Sequence, residues 1–519
     1  MPFSPRISAS GVTSNPARRS ASRPRRSRLT GPERGQHNET LLPGALRYPL
    51  PIPQKREIRP GDQVDGNSHD PLPPGQTGLF TDLYELTMAQ AFFRQKMFAP
   101  ATFSLFVRNY PPNRGYLVSA GLEDVLDHLE GFRFSQADLT YLRSTEIFTG
   151  DFLDYLEELH FTGSVRAIPE GRLYFANEPV LEVTGPIIEA QMVETFIINQ
   201  VNLQTLLATK AARCVWAAQG RGMSDFSARR TQGTDAALKM ARCSYIGGFQ
   251  STSNVLAARR YGIPPAGTMA HSFISSFPDE LSAFRAYADT FPQRTILLLD
   301  TYDTIQGTWN AVQVAKELEE AGNRLLAVRL DSGDFDSLSR QVRRILDESN
   351  LYYVTILASG GLDEYEVDRL VRNDAPIDLF GVGTKAGVSA DAPWSDMAYK
   401  LVCYDGRPLM KLSPDKVSPP GAKKVFRFQD KGVWSHDVLG LSDESVTGAE
   451  EILVEVMAGG VLSAAKPSLP EIRERLEADM HRLDPRFKAL HRPPLYPVQI
   501  SPKLQRLTAR VQEQLAEPE

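Results

Sequence analysis

The sequence predicts an α/β fold whose principal sheet is parallel and closes into an irregular TIM-like (β/α) barrel. From residue 222 onward, short apolar segments alternate with amphipathic helical segments, which is the pattern of repeated βα units. Polar or glycine-rich residues follow nearly every apolar segment, as they do at the carboxyl ends of barrel strands, so we favour a barrel over an open sheet. The predicted strands are 222–226, 266–270, 295–299, 325–330, 352–357 and 377–380.

The ordered chain is predicted to begin near Thr77, ahead of this sheet. Residues 79–92 form a predicted helix with Thr81 as its N-cap, because apolar side chains recur after it at helical spacing. A long helix is predicted from Gly185 and Pro186 to about Cys214, since proline is favoured in the first turn. The other early predictions are a strand at 101–107, helices at 116–129 and 136–142, and strands at 165–167, 172–175 and 180–184.

The later chain changes character after residue 393. Up to there the predicted helices are 311–321, 335–346 and one that opens at Asp363, with Glu366 at capping-box spacing. Beyond it, hairpin patterns appear, because short apolar segments flank tight turns such as the Asp-Gly at 405–406. The predicted late elements are the hairpins 398–403 with 408–412 and 423–428 with 432–436, then helices at 469–480 and 504–515.

Composition indicates a soluble globular protein. The chain has 519 residues, of which 42% are hydrophobic and 23% are charged, and no apolar run approaches the ~18 residues of a membrane span. Its three cysteines, Cys214, Cys243 and Cys403, are far apart and form no Cys-x-x-Cys motif. That usage predicts a reducing compartment, here the cytoplasm, and argues against a structural zinc site.

Charge is distributed unevenly along the chain. Residues 1–35 carry eight arginines and one acidic residue, a net +7, so the rest of the chain carries −12 of the overall −5. An acidic body is a poor general binder of nucleic acid. Residues 1–74 are rich in Pro, Arg, Ser and Gly and show no hydrophobic period, so we predict a disordered basic tail. An organelle transit peptide and an over-long gene start are the alternatives.

His271 is the first candidate for chemistry. It is the only histidine between residues 211 and 390, and it follows the predicted strand 266–270. Small neighbours, Ala270 and Ser272, leave space around its ring. A histidine in that position suits a nucleophile or a proton carrier, and the alternative is a structural histidine bonded to backbone.

Charged side chains follow other predicted strands. Arg229 and Arg230 come directly after the strand 222–226, and arginine binds carboxylates and phosphates through a bidentate fork. Asp300 and Asp331 end two further strands, where carboxylates hold sugar hydroxyls or a magnesium ion. The alternatives are ordinary surface charge for the arginines and helix capping for the carboxylates.

Two glycine-rich turns follow the last two predicted strands, at 358–363 and 381–385. Glycine lets backbone amides approach an anion, and the N-terminus of the next helix adds partial positive charge. In barrels the loops after the late strands often bind phosphate. These turns therefore predict a phosphate site, and the alternative is that they are tight turns only.

Five motifs, taken together and in this order, resemble the nicotinate phosphoribosyltransferase family. They are Thr-Asp-Leu-Tyr-Glu-Leu-Thr-Met at 81–88, Asp-Phe-Ser-Ala-Arg-Arg-Thr-Gln-Gly at 225–233, Gly-Gly-Phe-Gln-Ser-Thr-Ser-Asn-Val at 247–255, Gly-Thr-Met-Ala-His-Ser-Phe at 267–273 and Val-Arg-Leu-Asp-Ser-Gly-Asp at 328–334. The resemblance runs from about Thr77 to past Lys424. Two positions depart from the family's usual pattern: Ser227 replaces glycine and Glu85 replaces glutamine.

The resemblance implies an enzyme built in two main parts. An irregular β/α barrel domain would span 216–393, and an α/β sandwich domain would combine 75–215 with 394–470. A helical extension would follow at 471–519, while the tail at 1–74 has no counterpart in the family. The family also implies a homodimer whose subunits face head to tail and share their sites.

The resemblance further implies the reaction. Nicotinate and phosphoribosyl pyrophosphate would give nicotinate mononucleotide and pyrophosphate, coupled to hydrolysis of ATP with Mg²⁺, as the first step of NAD salvage from nicotinate. His271 would become a phosphohistidine, with Asp300 and Asp331 as the other catalytic residues. The residues implied to bind substrate are Tyr84 (in the neighbouring subunit's ring site), Phe226, Arg229, Arg230, Ser251, Arg329, Ser332 and Gly333, and those implied to bind the 5′-phosphate are Ser359, Gly360, Gly361, Gly381, Gly383 and Thr384.

Three other functions compete with this one. A nicotinamide-specific relative would have no use for two adjacent arginines, since its substrate carries a neutral amide. A quinolinate enzyme would need more cationic residues and no phosphorylated histidine. A catalytically inactive phosphate-binding relative is disfavoured because His271, Arg229 and Asp300 are all present.

Overall fold

The computed structural model describes residues 78–411 and 418–516. The disorder predicted for residues 1–74 lies outside the described residues. The strands are β1 (Pro100–Val107), β2 (Leu117–Val118), β3 (Ser164–Ala167), β4 (Leu173–Tyr174), β5 (Pro179–Pro186), β6 (Gly222–Asp225), β7 (Ser251–Thr252), β8 (Ile296–Leu298), β9 (Ala327–Leu330), β10 (Thr355–Ser359), β11 (Leu379–Val382), β12 (Met397–Tyr404), β13 (Arg407–Pro408), β14 (Lys423–Asp430), β15 (Val433–Leu441), β16 (Glu450–Glu451), β17 (Val454–Ala458), β18 (Val461–Leu462) and β19 (Val498–Ile500).

Helices fill most of the intervals between these strands. They are α1 (Leu83–Arg94), α2 (Leu122–Glu130), α3 (Gln136–Ser144), α4 (Gly150–Glu158), α5 (Ile187–Met192), α6 (Glu194–Ala218), α7 (Thr234–Ile246), α8 (Val255–Tyr261), α9 (His271–Ser275), α10 (Glu280–Thr290), α11 (Thr304–Glu320), α12 (Phe335–Glu348), α13 (Glu364–Arg372), α14 (Thr384–Gly387), α15 (Leu469–Arg482) and α16 (Pro502–Ala516). Two 3₁₀ turns, Ala228–Arg230 and Pro485–Lys488, complete the regular structure of the described chain.

Six strands form a parallel sheet in the order β7-β6-β11-β10-β9-β8. Every neighbouring pair in it is parallel, and long helices such as α11 and α12 connect successive strands. The edge strands β7 and β8 do not pair with each other in the described chain, so the sheet is a curled, incomplete barrel. The predicted fold class, an α/β protein with an irregular TIM-like barrel, is confirmed.

One predicted barrel strand is wrong. Residues 266–270 form no strand: Pro265 makes an isolated bridge to Thr252, and helix α9 begins at His271. The strand beside β6 is instead β7, which the sequence did not predict. The cause is local chemistry, because Pro264 and Pro265 have no amide hydrogen to donate and the small residues after them have low β-propensity.

Other predicted boundaries also need correction. Asp82, not Thr81, occupies the N-cap position of α1, and the Thr81 hydroxyl bonds the Glu85 carboxylate. The predicted helix 116–129 begins only at Leu122, after β2, and the predicted long helix is broken at Val193 into α5 and α6. Helix α4 was not predicted, and β10 and β11 lie two to three residues later than expected.

A second sheet is antiparallel and has seven strands, in the order β13-β12-β1-β5-β3-β17-β18. It combines strands from before and after the parallel sheet, because β12 pairs with β1 and β17 with β3. A four-stranded sheet, β16-β14-β15-β19, lies near the end of the chain. The two predicted hairpins, β12–β13 and β14–β15, are confirmed. The proposed domain boundaries stay predictions.

A buried ionic cluster joins helix α6 to helix α13 and to the loop after α14. The fully buried Glu364 carboxylate pairs with the ammonium group of Lys210 and accepts from Arg213 Nε at 3.1 Å. Lys210 also reaches Asp391 at 2.6 Å, and Asp391 accepts from Arg114 at 2.8 Å. Burial raises the pKa of Asp391, but the hydrogen bond and charge of Arg114 and the charge of Lys210 outweigh it and hold this pKa well below its usual range. Since α13 follows the first glycine-rich turn, the cluster fixes one wall of the region where the parallel strands end.

We expect Glu364→Gln to lower the free energy of unfolding by about 3–5 kcal/mol, because it leaves buried cations without their counter-charge. Urea denaturation followed by tryptophan fluorescence measures the change. The matched control is Glu366→Gln on the same helix, which breaks only a partly exposed pair with Arg369 and should cost no more than about 1 kcal/mol. Equal effects of the two substitutions would contradict the role given to the buried cluster.

Candidate active site

A cavity of about 440 Å³ opens at the carboxyl ends of the parallel strands. Most of the site residues named from the sequence line it. Those in its wall are Phe226, Arg229, Arg230, His271, Arg329, Asp331, Ser359, Gly360, Gly361, Gly381, Gly383 and Thr384. Those outside its wall are Tyr84, Ser251, Asp300, Ser332 and Gly333.

The loop after β6 is held by a buried carboxylate. Asp225 is fully buried and accepts hydrogen bonds from Ser227 N, Ser227 Oγ and Thr252 Oγ1. Burial raises the pKa of Asp225, and the hydrogen bonds from Ser227 and Thr252 oppose that shift. These bonds shape the 3₁₀ turn that carries Arg229 and Arg230. In the described chain neither guanidinium has a carboxylate or hydrogen-bond partner, so both cations are available to an anion in the cavity.

His271 is the first residue of the short helix α9, where it is held from one side. Its Nδ1 lies 3.1 Å from the Thr301 hydroxyl, and its Nε2 lies 3.7 Å from Asp331 Oδ2. The first distance is within hydrogen-bond range and the second is beyond it. The ring is half exposed to the cavity, with Nε2 on the side of the parallel-strand carboxylates.

Arg329, in β9, and Asp331, directly after it, line the same cavity. The Arg329 guanidinium donates to Ser359 Oγ at 2.8 Å, to Thr268 Oγ1 at 3.0 Å and to Asp331 Oδ1 at 2.6 Å. Asp331 Oδ1 also accepts from the Ser359 hydroxyl. Burial raises the pKa of Asp331, but the hydrogen bond from Ser359 and the charge of Arg329 outweigh it, so the pKa of Asp331 lies below its usual range. This carboxylate is therefore ionised at neutral pH.

Asp300 lies behind the cavity wall and supports the loop after β9. Its Oδ2 accepts from the backbone N of Asp331 at 3.1 Å and from the Ser332 hydroxyl. Its Oδ1 is buried and has no hydrogen-bond partner in the part of the chain that the structure describes. Ser251, another predicted residue outside the wall, exchanges a hydrogen bond of 2.7 Å with Ser224 between β7 and β6.

The two glycine-rich turns require glycine for steric reasons. At Gly360 the backbone φ is +96°, and a Cβ there would collide with the carbonyl oxygen of Asp331. A Cβ at Gly381 would lie 2.5 Å from the Phe226 ring. Both turns therefore bring the backbone close to neighbouring loops, and their glycines line the cavity. Lys385, just after the second turn, is engaged by Asp363 at 2.7 Å.

Sequence reasoning missed three polar residues of this region. Thr268 and Ser253 line the cavity, and Thr301 contacts His271 from behind it. The first two lie inside motifs that the sequence had already singled out, so their position within those motifs was the available signal. Thr301 follows Asp300 directly, but its contact crosses 30 residues of chain and has no local signature.

Tyr84 lies on an exposed face of α1 and is not part of this cavity. Two other apolar side chains on the same helix, Leu83 and Met88, are exposed beside it. Partial burial and the nearby Glu194 carboxylate raise the pKa of Tyr84, so its hydroxyl stays protonated. An exposed apolar strip on one helix is typical of a surface that another molecule covers.

The described residues contain neither a membrane-spanning helix nor a preformed metal-binding cluster. No helix there is both long enough and apolar enough to cross a membrane. No cluster of three or more histidine, cysteine, aspartate or glutamate side chains in the same part of the chain could hold a metal ion alone. All three cysteines are free thiols.

Family models cover most of the described chain. Residues 79–202 match the nicotinate phosphoribosyltransferase (NAPRTase) N-terminal domain, residues 222–402 match the NAPRTase family, and residues 445–508 match the nicotinate phosphoribosyltransferase C-terminal domain. The three matched segments are consecutive parts of one family's chain, and they follow the same order as the sequence motifs.

Individual proteins give the same result over nearly their full lengths. The chain is 49% identical over 430 residues to nicotinate phosphoribosyltransferase pncB2 of Mycobacterium tuberculosis, covering 82% of this chain and 92% of that one. It is 37% identical over 479 residues to nicotinate phosphoribosyltransferase of Bacillus subtilis, covering 85% and 97%. The crystal structure of human nicotinic acid phosphoribosyltransferase superimposes with a TM-score of 0.76 at 31% identity, covering 83% of this chain and 99% of that one.

Proposed function

The chain belongs to the nicotinate phosphoribosyltransferase family, and from that premise we propose the reaction it catalyses. It is an enzyme of this type, a glycosyltransferase of NAD biosynthesis. In the proposed reaction, nicotinate, phosphoribosyl pyrophosphate, ATP and water give nicotinate mononucleotide, pyrophosphate, ADP and phosphate. The observation that carries the proposal is one cavity in which two glycine-rich turns and a half-exposed histidine meet two arginines that have no partner among the described residues.

The ring-binding end of the site is the turn after β6. Arg229 and Arg230 have no carboxylate of their own in the described chain, and Phe226 lines the same cavity, with the Arg329 guanidinium 5.7 Å from its ring centroid. A pyridine carboxylate satisfies both features, because its ring stacks on an aromatic side chain and its charge pairs with a guanidinium. Nicotinamide would leave these cations uncompensated, so the arrangement favours the acid over the amide.

The phosphate-binding end is formed by the turns after β10 and β11. The backbone amides at Gly360 and Gly383 and the N-terminus of α14 suit a 5′-phosphate. Nitrogen attack at the anomeric carbon develops positive charge on the ribose and negative charge on the departing pyrophosphate. The site therefore needs fixed charges on both groups more than it needs a strong base.

Magnesium is the cofactor that we add to this proposal, and the residues present fit it. Asp300 Oδ1 is an orphaned buried oxygen, and Asp331 Oδ2 has only a distant neighbour in His271. Magnesium prefers such oxygens and takes the rest of its ligands from water and substrate phosphates, so it does not need a large protein cluster. Asp300 and Asp331 would hold the ion, which would supply positive charge toward the leaving pyrophosphate.

The ATP-dependent part of the proposal rests on His271. Its imidazole would accept a phosphoryl group from ATP beside the pyrophosphate pocket. Phosphorylation of His271 would strengthen the site's grip on the phosphoribosyl donor, and hydrolysis of the phosphohistidine would draw the reaction toward nucleotide. Its half-exposed ring, with one nitrogen facing the cavity, supports this role.

We also propose a homodimer with shared sites. Tyr84 is exposed on α1 and lies outside the cavity of its own subunit, together with exposed Leu83 and Met88. A partner's cavity would give this aromatic side chain a pyridine ring to contact. A cytoplasmic location completes the proposal; three free thiols support it, since thiols persist in reducing compartments, and cell fractionation would test it.

The first prediction concerns the carboxylate clamp. Replacing the clamping member of the pair Arg229 and Arg230 with alanine should raise the nicotinate KM about ten- to a hundredfold, since a charge-assisted hydrogen bond is worth about 1.5–3 kcal/mol. Steady-state kinetics with varied nicotinate measure it. Arg294→Ala, which removes an exposed arginine before β8, is the control and should leave KM unchanged. An unchanged nicotinate KM in both single variants would contradict the assignment of the carboxylate clamp to this pair.

The second prediction concerns the phosphohistidine. His271→Ala should abolish ATP hydrolysis and the acid-labile label from γ-labelled ATP, because the accepting nitrogen is gone. Slow ATP-independent formation of nucleotide should remain, because the arginines and glycine turns are intact. His481→Ala, at an exposed position on α15, is the control and should label normally. A label that persists without His271 would place the phosphate elsewhere.

The third prediction concerns the shared site. Tyr84→Ala and His271→Ala proteins, each impaired alone in the ATP-coupled reaction, should recover activity when their subunits exchange. A hybrid dimer then contains one site with both residues intact. Tyr141→Ala, another exposed tyrosine, is the control and should be active unmixed. No recovery after subunit exchange is verified by mass spectrometry would favour self-contained sites.

A further inference from the structure

We infer that Thr301 is the positioning residue that selects which nitrogen of His271 reacts: its hydroxyl accepts a hydrogen bond from Nδ1–H and so leaves Nε2 as the phosphoryl acceptor. The inference rests on the proposed phosphohistidine and names the residue that prepares it. Nothing in the family motifs used above includes Thr301 as a functional position.

The first support is the geometry around the ring. Nδ1 lies 3.1 Å from Thr301 Oγ1, and this is the hydroxyl's only hydrogen-bond partner in the described chain. Nε2 is 3.7 Å from Asp331 Oδ2, which is too long for a hydrogen bond. In the described chain Nδ1 therefore has a hydrogen-bond partner and Nε2 has none, and a Thr301 hydroxyl that accepts from Nδ1–H leaves the lone pair on Nε2.

The second support is that the ring needs such a bond. His271 is half exposed and belongs to a helix of one turn and a half, α9, so packing alone does not fix its orientation. A side chain on a separate element supplies what packing does not. Thr301 lies in the loop after β8, and the helices α9 and α10 precede it in the chain.

The third support is that Thr301 itself is anchored on both sides. The residue before it, Asp300, is tied through Oδ2 to the backbone of Asp331 and to Ser332. Two residues after it, the Asp303 side chain caps α11 by accepting from Gln306 N at 2.8 Å. The hydroxyl is thus held by a loop with fixed ends, which is what a group that orients another residue requires.

The chemistry that follows is balanced. The Nε2 lone pair attacks the γ-phosphorus of ATP, an N–P bond forms, and the bond from phosphorus to the bridging oxygen breaks with its electrons leaving on ADP. The ring keeps its proton on Nδ1 and becomes positively charged. Thr301 Oγ1 stabilises that charge by accepting from Nδ1–H. Water later attacks phosphorus, and the N–P electrons return to Nε2 as phosphate leaves.

The competing arrangement reverses the direction of the hydrogen bond between Thr301 and His271. If the Thr301 hydroxyl donated to Nδ1, the proton would sit on Nε2 and no lone pair would face the cavity. The two arrangements predict different effects of removing the hydroxyl, because only the first needs it to create the reactive tautomer. Thr301→Val removes the oxygen at nearly constant shape, and Thr301→Ser restores it.

The experiment measures acid-labile phosphate on the full-length protein after incubation with γ-labelled ATP. We expect the initial labelling rate of Thr301→Val to fall about ten- to a hundredfold, the scale of a lost hydrogen bond to a charged group, and that of Thr301→Ser to return near wild type. ATP-independent nucleotide formation should be unchanged in both, which shows that the fold and the other clamps are intact. Thr355→Val is the matched control, since Thr355 bonds a backbone carbonyl at the opposite end of the sheet.

Phosphorus NMR of the labelled protein, denatured in base, should find the phosphate on Nε2 alone in wild type. Labelling of Thr301→Val at the wild-type rate, no recovery in Thr301→Ser, or a wild-type phosphate on Nδ1 would each overturn the inference while leaving the phosphohistidine standing. No label on wild type at all would overturn the proposed phosphohistidine and this inference with it. Normal labelling of Thr355→Val with slow labelling of Thr301→Val confirms that the effect belongs to this hydroxyl.

Discussion

The hydrogen bonds of Arg329 are the interaction on which the candidate site depends. One guanidinium joins the end of β9 to β10 through Ser359, to its own loop through Asp331, and to the segment before His271 through Thr268. A sheet that closes only part of a barrel has no continuous ring of strand pairs to hold these three segments together. The rigid fork of an arginine, with donors in fixed directions, supplies that connection. Residues 264–270 therefore keep their position next to the sheet although they do not form a strand.

A second constraint concerns charge. The carboxylates of this region have donors of their own: Asp331 in the cavity wall has Arg329 and Ser359, and the buried Asp225 at the end of β6 has Ser227 and Thr252. The two outer arginines of the cavity have no acceptor in the described chain. Away from the site, an acid such as Glu364 is matched by buried cations. The protein is therefore acidic overall but positively charged at this cavity, and a local positive potential of this kind attracts anions.

The sequence predicted which residues meet in the cavity better than it predicted the elements that carry them. Arg229, Asp331 and the two glycine turns were found because the carboxyl ends of parallel strands meet at one edge, which needs only the order of strands to be right. His271 lies in the cavity although the strand predicted before it was wrong. The chain bridges Thr252 and then begins α9 at His271, which places this residue at the same edge of the sheet as a strand would have done. The predicted helix boundaries were wrong where tertiary contacts determine them. Thr81 has a side chain that could cap α1, but its hydroxyl bonds Glu85 instead, and the buried Glu85 carboxylate also accepts from Thr195.

Two features had no route from the sequence, for different physical reasons. Thr301 contacts His271 across 30 residues of chain, and a threonine in a polar turn carries no pattern that separates a ring-orienting hydroxyl from a solvated one. Tyr84 is the reverse case: its motif is recognisable, but the side chain is exposed on α1 and does not line the cavity. In the first case spatial proximity supplies the missing information, and in the second the proposed second subunit would supply it. Under that proposal the orientation of the histidine would be set within one subunit, and the ring site would be enclosed by two.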